Sequence, residues 1–175
     1  MKKLLALVLV VVFAAGVFAA EADSVKSLTG EEGLKATAVT LTEAQTAKIQ
    51  AAMGTKQVVK TAYSIYVGKE VVVVIEEQQG KWAPIKIAVS IVKADRKVKS
   101  VEIVSMSEKR GAGVKTSSYL GQYAGKCLLD VLEIGKDIKA VSGATVSSKA
   151  VTIAVKRALL VYEEAMPAPA EKKSK

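Results

Sequence analysis

Ser142, Gly143, Ala144 and Thr145 stand together in the stretch DIKAVSGATVSSKAV, with Ser147 and Ser148 just beyond them. No bulky side chain interrupts the group, and a long apolar-periodic segment follows it. A helix start leaves its first backbone N–H groups without partners and carries a partial positive charge, so an anion such as phosphate is favoured there. Gly143 and Ala144 allow the backbone a close approach to that anion. The Ser142, Thr145, Ser147 and Ser148 hydroxyls add donors, and the Thr145 hydroxyl is a candidate point of covalent attachment. The same residue types are ordinary helix caps, worth about 1 kcal/mol. Spacing alone leaves both readings open.

The elements that must position this group are legible around it. Val151, Ala154, Val155, Ala158, Leu159 and Tyr162 form one stripe of a long helix, with Lys149, Thr152, Lys156 and Glu163 opposite. Such an amphipathic helix suits packing across a sheet. Upstream, QVVKTAYSIYV, EVVVVIEEQ, PIKIAVSIV and VKSVEIVSM are rich in β-branched residues and are separated by short turns at Gly68-Lys69, Gly80-Lys81 and ADRK. Four strands so connected predict an antiparallel meander. Thr40 or Thr42 caps a short helix that stops at Gly54. The fold class expected is α+β: an antiparallel β-meander packed with an N-terminal helix and a long C-terminal helix. One domain is expected over residues 41–166, preceded by a flexible lead at 21–40 and followed by a disordered tail at 167–175.

The first twenty residues, MKKLLALVLVVVFAAGVFAA, carry two lysines, an apolar run and small residues, the pattern of a secretory signal peptide. The expected location is therefore outside the cytoplasm, in a periplasm or at the cell exterior. The chain has 26 basic and 17 acidic residues, a formal charge of +9. A positive surface suits an acidic partner, a phosphate-bearing ligand or peripheral contact with anionic lipid. Nucleic acid is not expected as a partner, because the basic residues are scattered and no stacking aromatics are interleaved with them. There is no His and a single Cys, Cys127. This inventory excludes an intrachain disulfide, haem attachment, a His-based zinc site and any Ser-His or Cys-His catalytic pair. Redox or group-transfer chemistry would need a borrowed organic cofactor.

SGATVSSKAV followed by AVKRAL resembles the C-terminal signature of the FMN-binding domain family, which includes the flavin domain of the C subunit of sodium-pumping NADH:quinone reductase and of the G subunit of Rnf-type complexes. The pieces GKWAPIKIAVSIVKADRKVKSVEIV, SEKRGAGV, YLGQYAGK and LEIGKDIKAVSGATVSS resemble the family in the same order, so the likeness runs from roughly Thr42 to Tyr162. The resemblance implies FMN as cofactor, electron transfer as the role, and a membrane-bound or exported redox partner. It also implies FMN joined by a phosphoester to the threonine matching Thr145, installed from FAD by a flavin transferase. Glu108, Gly111 and Gly113 match the family's loop near the flavin. The attachment motif reads Asp-x-x-(Ser/Thr)-Gly-Ala-Thr. Ser142, Gly143, Ala144 and Thr145 fit it, but Lys139 stands in place of the Asp, and the nearest acid is Asp137. Lys139 is then a candidate partner for the FMN phosphate in reversible binding. Three readings follow: an exported FMN electron carrier, a non-redox module that binds or delivers FMN or another phospholigand, and an exported structural protein without flavin. A stand-alone enzyme is the least expected.

Overall fold

The computed structural model describes residues 19–54 and 58–166. The expected tail lies outside these residues, and so does the expected signal peptide except for its last two positions. Among the described residues, no helix is long and apolar enough to cross a membrane.

Five strands form one antiparallel sheet in sequence order: β1 (Ala36–Thr40), β2 (Ala62–Val67), β3 (Val71–Gln79), β4 (Pro84–Val92) and β5 (Val98–Met106). The meander expected from four apolar runs is present, with one strand added at its edge. Pairing sets Val74 opposite Val89 and Val89 opposite Val101. Because side chains alternate between faces, a strand of period two commits each residue to one side. Ile65, Val72, Val74, Ile85, Ile87, Val89 and Ile91 accordingly lie in the main core. Tyr66, Val73 and Ala88 lie in a second cluster.

α4 (Thr145–Ala165) covers the main face. Ala150, Ala154 and Ala158 are buried along its inner side, so the helix backbone approaches the strands closely, while Val151, Val155 and Leu159 fill the gaps. Each such aliphatic side chain contributes about 1.5–3 kcal/mol on full burial. Arg157 pins the same helix to β3. Its Nε and Nη2 donate to Glu76 Oε2 at 2.9 and 2.8 Å, and Nη1 donates to Gln78 Oε1 at 3.0 Å. Burial raises the pKa of the Glu76 carboxyl, and the Arg157 guanidinium pulls it the other way.

α2 (Glu43–Met53) starts at Thr42, which forms a reciprocal capping box with Gln45, and ends at Gly54 with φ 82°. The segment expected as a flexible lead is ordered. It forms α1 (Ala19–Thr29) and β1. α1 lies on the second face of the sheet, where Val25 and Leu28 pack with Tyr66, Val73 and Ala88. Glu21 accepts from Lys86 Nζ at 2.7 Å and from the Tyr66 hydroxyl at 3.3 Å, and Ser24 Oγ donates to Glu102 at 3.0 Å. Tertiary packing therefore orders a helix whose own polar pattern is weak.

Candidate cofactor site

The two halves of the site are 60 residues apart in sequence, and a carboxylate joins them. One half is the first turn of α4. Gly143 has φ 75°, a left-handed conformation that glycine adopts without strain, and the chain turns there into the helix. Ala144 occupies the N-cap position, and no side chain caps the helix. No acidic residue lies in the first turn. The hydroxyls that suggested a cap are used otherwise. Ser147 Oγ donates to Glu108 Oε2 at 2.6 Å, and Ser148 Oγ accepts from Val141 N at 3.0 Å. Ser142 and Thr145 are exposed. A helix of 21 residues thus starts without a cap, and its positive end remains available to an anion.

The other half is the turn between β3 and β4. Gly80 N donates to Ala83 O at 3.0 Å, closing the turn, and Glu108 Oε1 accepts from Trp82 N at 2.7 Å. A Cβ on Gly80 would lie 2.5 Å from Glu108 Oε1 and 2.9 Å from Ala83 O, so a side chain there would expel the carboxylate. Glu108 is buried (7% exposed) and bridges this turn to α4. Burial pushes its carboxyl pKa up, but the Ser147 hydroxyl and the backbone amides of Trp82, Ala83 and Lys81 outweigh that and hold it below the ordinary glutamate value.

Between the halves is a cavity of about 540 Å³, within the range usual for small-ligand sites. Gly143, Ala144, Thr145 and Val146 line one side of it. Lys81, Trp82, Ser107 and Gly111 line the rest, with Glu108 and Ser147 at the seam. Gly111 is pressed against that seam. A Cβ there would run into Met106 Cε and would stand 2.6 Å from Ser147 Oγ and 3.1 Å from Glu108 Oε2. The donor set is an open helix start, a lysine and hydroxyls, and it fits a phosphate. The volume and the aromatic wall fit a planar ring system attached to it.

Of the residues expected at the site, Gly143, Ala144, Thr145, Glu108 and Gly111 line the cavity, and Ser142 precedes them in the turn. Gly113 does not line it. A Cβ there would meet Val141 Cγ1 at 2.5 Å, so this glycine lets two loop segments pack. Lys139 does not line it either. Its backbone is clamped by the Gln122 amide, with Lys139 N donating at 2.8 Å and Lys139 O accepting at 3.2 Å. Asp137, two positions from the motif's Asp, is also committed elsewhere. It accepts from Leu132 N, Glu133 N and Lys126 Nζ at 3.1, 2.9 and 3.1 Å, stapling its own loop. Among the described residues, the cation at the cavity is Lys81, which the sequence offered only as part of a turn, and Trp82 lines the cavity beside it instead of packing as a residue next to a turn would be expected to. The signal for both was the Gly80 turn, read there only as a connection.

Tyr119 and Tyr123, spaced like one helical face, are core residues. Their hydroxyls meet at 2.7 Å, and Tyr119 donates to Ser148 O at 2.9 Å. Cys127, four residues beyond Tyr123, is not on the same face, because the chain leaves the helical path at Gly125, with φ 78°. Among the described residues, no group of three or more His, Cys, Asp or Glu side chains is placed to hold a metal ion.

No curated protein matches the chain. The family model for the FMN-binding domain matches residues 80–160, a span that begins at the Gly80 turn rather than at Thr42 and reaches almost to the end of α4. It contains every residue that lines the cavity. Residues 80–160 thus match the FMN-binding domain, and that match indicates FMN as the cofactor.

Proposed function

We propose that the protein is an exported electron carrier whose FMN is held by its phosphate at the open start of α4. The observation that carries this reading is the uncapped first turn of a 21-residue helix, free of acidic residues and lining a cavity that also contains Lys81. Backbone amides and the helix dipole favour an anion there, and Lys81 adds a formal charge. FMN, when bound, supplies reversible electron transfer, and the protein binds, orients and tunes it. Both Glu108 oxygens accept from Ser147 and from the amides of the Gly80–Ala83 turn, so its carboxylate braces the seam between the two halves of the site.

Thr145 is exposed at the cavity, which supports its use as the attachment point. In that reaction Thr145 Oγ forms a bond to the flavin-side phosphorus of FAD. The pyrophosphate P–O bond breaks, AMP leaves, and the hydroxyl proton passes to a base of a flavin transferase. Lys139 in place of the motif Asp favours a second form, in which FMN is bound reversibly at the same cavity. Export is supported by the apolar, lysine-led segment Met1–Ala20, and the basic surface suits an acidic redox partner or an anionic membrane face.

The test is to export the protein in a host that co-expresses a flavin transferase, then record its visible spectrum with and without dithionite and run a denaturing gel under ultraviolet light. A yellow exported protein that bleaches and recovers is expected. A fluorescent band on the gel identifies phosphoester attachment, and a yellow protein without the band identifies the reversible form. A protein that stays colourless under both conditions would refute the carrier reading.

A further inference from the structure

Five tyrosines and one tryptophan are the aromatic side chains among the described residues. Tyr63, Tyr66, Tyr119, Tyr123 and Tyr162 are all buried, none more than 4% exposed. Trp82 is 76% exposed, and it lines the cavity. An indole left in water forgoes about 2–3 kcal/mol of burial, so the fold gains nothing by presenting it there.

Its backbone is not loose. The Gly80–Ala83 bond closes the turn, Trp82 N is held by Glu108 at 2.7 Å, and the same carboxylate is held by Ser147 in α4. Trp82 is therefore tied to the helix start through a single bridging side chain. Lys81 Nζ lies 5.0 Å from the indole centroid, a cation over one ring face. The other face of so exposed a ring is left for a planar ligand.

We propose that Trp82 is the ring-recognition residue of this site: it lies against the isoalloxazine of FMN, while the start of α4 holds the phosphate. The proposal rests on the reading that FMN occupies this cavity. The division of labour is specific. Trp82 selects for a large flat π-system, and the helix start selects for an anion, so the two ends of the ligand are read by segments of different secondary structure. Glu108 keeps the two readers in register and is a positioning residue.

The test uses protein produced without a flavin transferase, so that FMN binds reversibly, and compares the wild type with Trp82→Leu and Trp82→Phe. Trp82 is the only tryptophan in the chain. Its exposure means that either replacement should leave the urea unfolding midpoint unchanged, which serves as the folding control. An indole in contact with an excited flavin donates an electron that returns during decay, so emission is quenched with no net redox change. Bound FMN should therefore be nearly dark in the wild type and bright in Trp82→Leu. The Kd for FMN should rise about tenfold in Trp82→Leu, the loss usual for one aromatic–base stack, and Trp82→Phe should recover most of it. At one fixed concentration of FMN, the concentration of inorganic phosphate that displaces half of the bound flavin should fall in Trp82→Leu, because only the ring's hold is weakened. Equal emission and equal Kd in the wild type and Trp82→Leu would overturn the role of Trp82 and leave the FMN site standing, with the exposed indole then assigned to a protein partner. Failure of the wild type to retain FMN would overturn both.

Discussion

Removing the Glu108 bridge gives the sharpest stability test of the site. In Glu108→Ala, the buried Ser147 hydroxyl loses its acceptor at 2.6 Å and Trp82 N loses its acceptor at 2.7 Å. The buried Ser147 hydroxyl left without a partner costs about 1–3 kcal/mol, while Trp82 N, in a residue that is 76% exposed, turns to water and adds little. For a domain of this size each kcal/mol shifts Tm by about 2–4 °C, so a drop of about 2 °C at the least is expected. Glu108→Gln is milder. Its amide oxygen accepts from Trp82 N while its NH₂ donates to Ser147 Oγ, so both bonds survive without charge assistance, a loss of about 1–2 kcal/mol. The pH dependence has a definite sign. Because the folded pKa of Glu108 is depressed, its contribution is fully present above the ordinary glutamate pKa of about 4.3 and is lost as pH falls through the lower folded value. Thermal unfolding followed by Trp82 emission between pH 3 and pH 7 reads both effects. A Glu108→Ala protein with the wild-type Tm at pH 7 would refute the bridge, and so would a wild-type-minus-Ala difference that persists undiminished at pH 3.

Other perturbations address separate parts of the structure. Gly111→Ala drives a methyl into Met106, Ser147 and Glu108; a destabilisation of about 1–3 kcal/mol by urea titration is expected, together with weakened FMN binding. Arg157→Met leaves the buried Glu76 carboxylate without its cation and should cost about 3–5 kcal/mol, while the double variant Arg157→Met, Glu76→Leu should recover most of that in the same titration. Lys139→Asp restores the motif's Asp at an exposed position whose backbone Gln122 already holds; the fluorescent band on a denaturing gel should strengthen in a host with a flavin transferase, and an unchanged band would mean that Lys139 does not limit attachment.

The sheet and α4 were legible because their patterns are strong. Ile85, Ile87, Val89 and Ile91 alternate without a break, and the stripe from Val151 to Tyr162 keeps helical period. β1 was not legible, since Ala36–Thr40 is a short edge strand of small residues with no fully buried member. α1 escaped for a different reason. Val25 and Leu28 are too few to mark a helix by period, and its order comes from contacts to Tyr66, Val73 and Ala88, far along the chain. At the site, the SGAT stretch was visible as a group of small and hydroxyl residues at a helix start, and its resemblance to the family's signature set it apart from an ordinary cap. The opposite wall was not, because nothing local to Gly80–Trp82 signals that a carboxylate at position 108 will draw the turn against α4. For the same reason Lys139, near in sequence, seemed the natural phosphate partner, whereas folding brings Lys81 to the cavity instead.

The central claim is that the open start of α4 reads a phosphate. Isothermal titration of the flavin-free protein with FMN and then with riboflavin, which has the same ring system and no phosphate, tests it most directly. One or two charge-assisted hydrogen bonds at about 1.5–3 kcal/mol each make FMN the tighter ligand by at least about tenfold, with the margin shrinking as salt is raised. Equal affinities for the two flavins would contradict the claim.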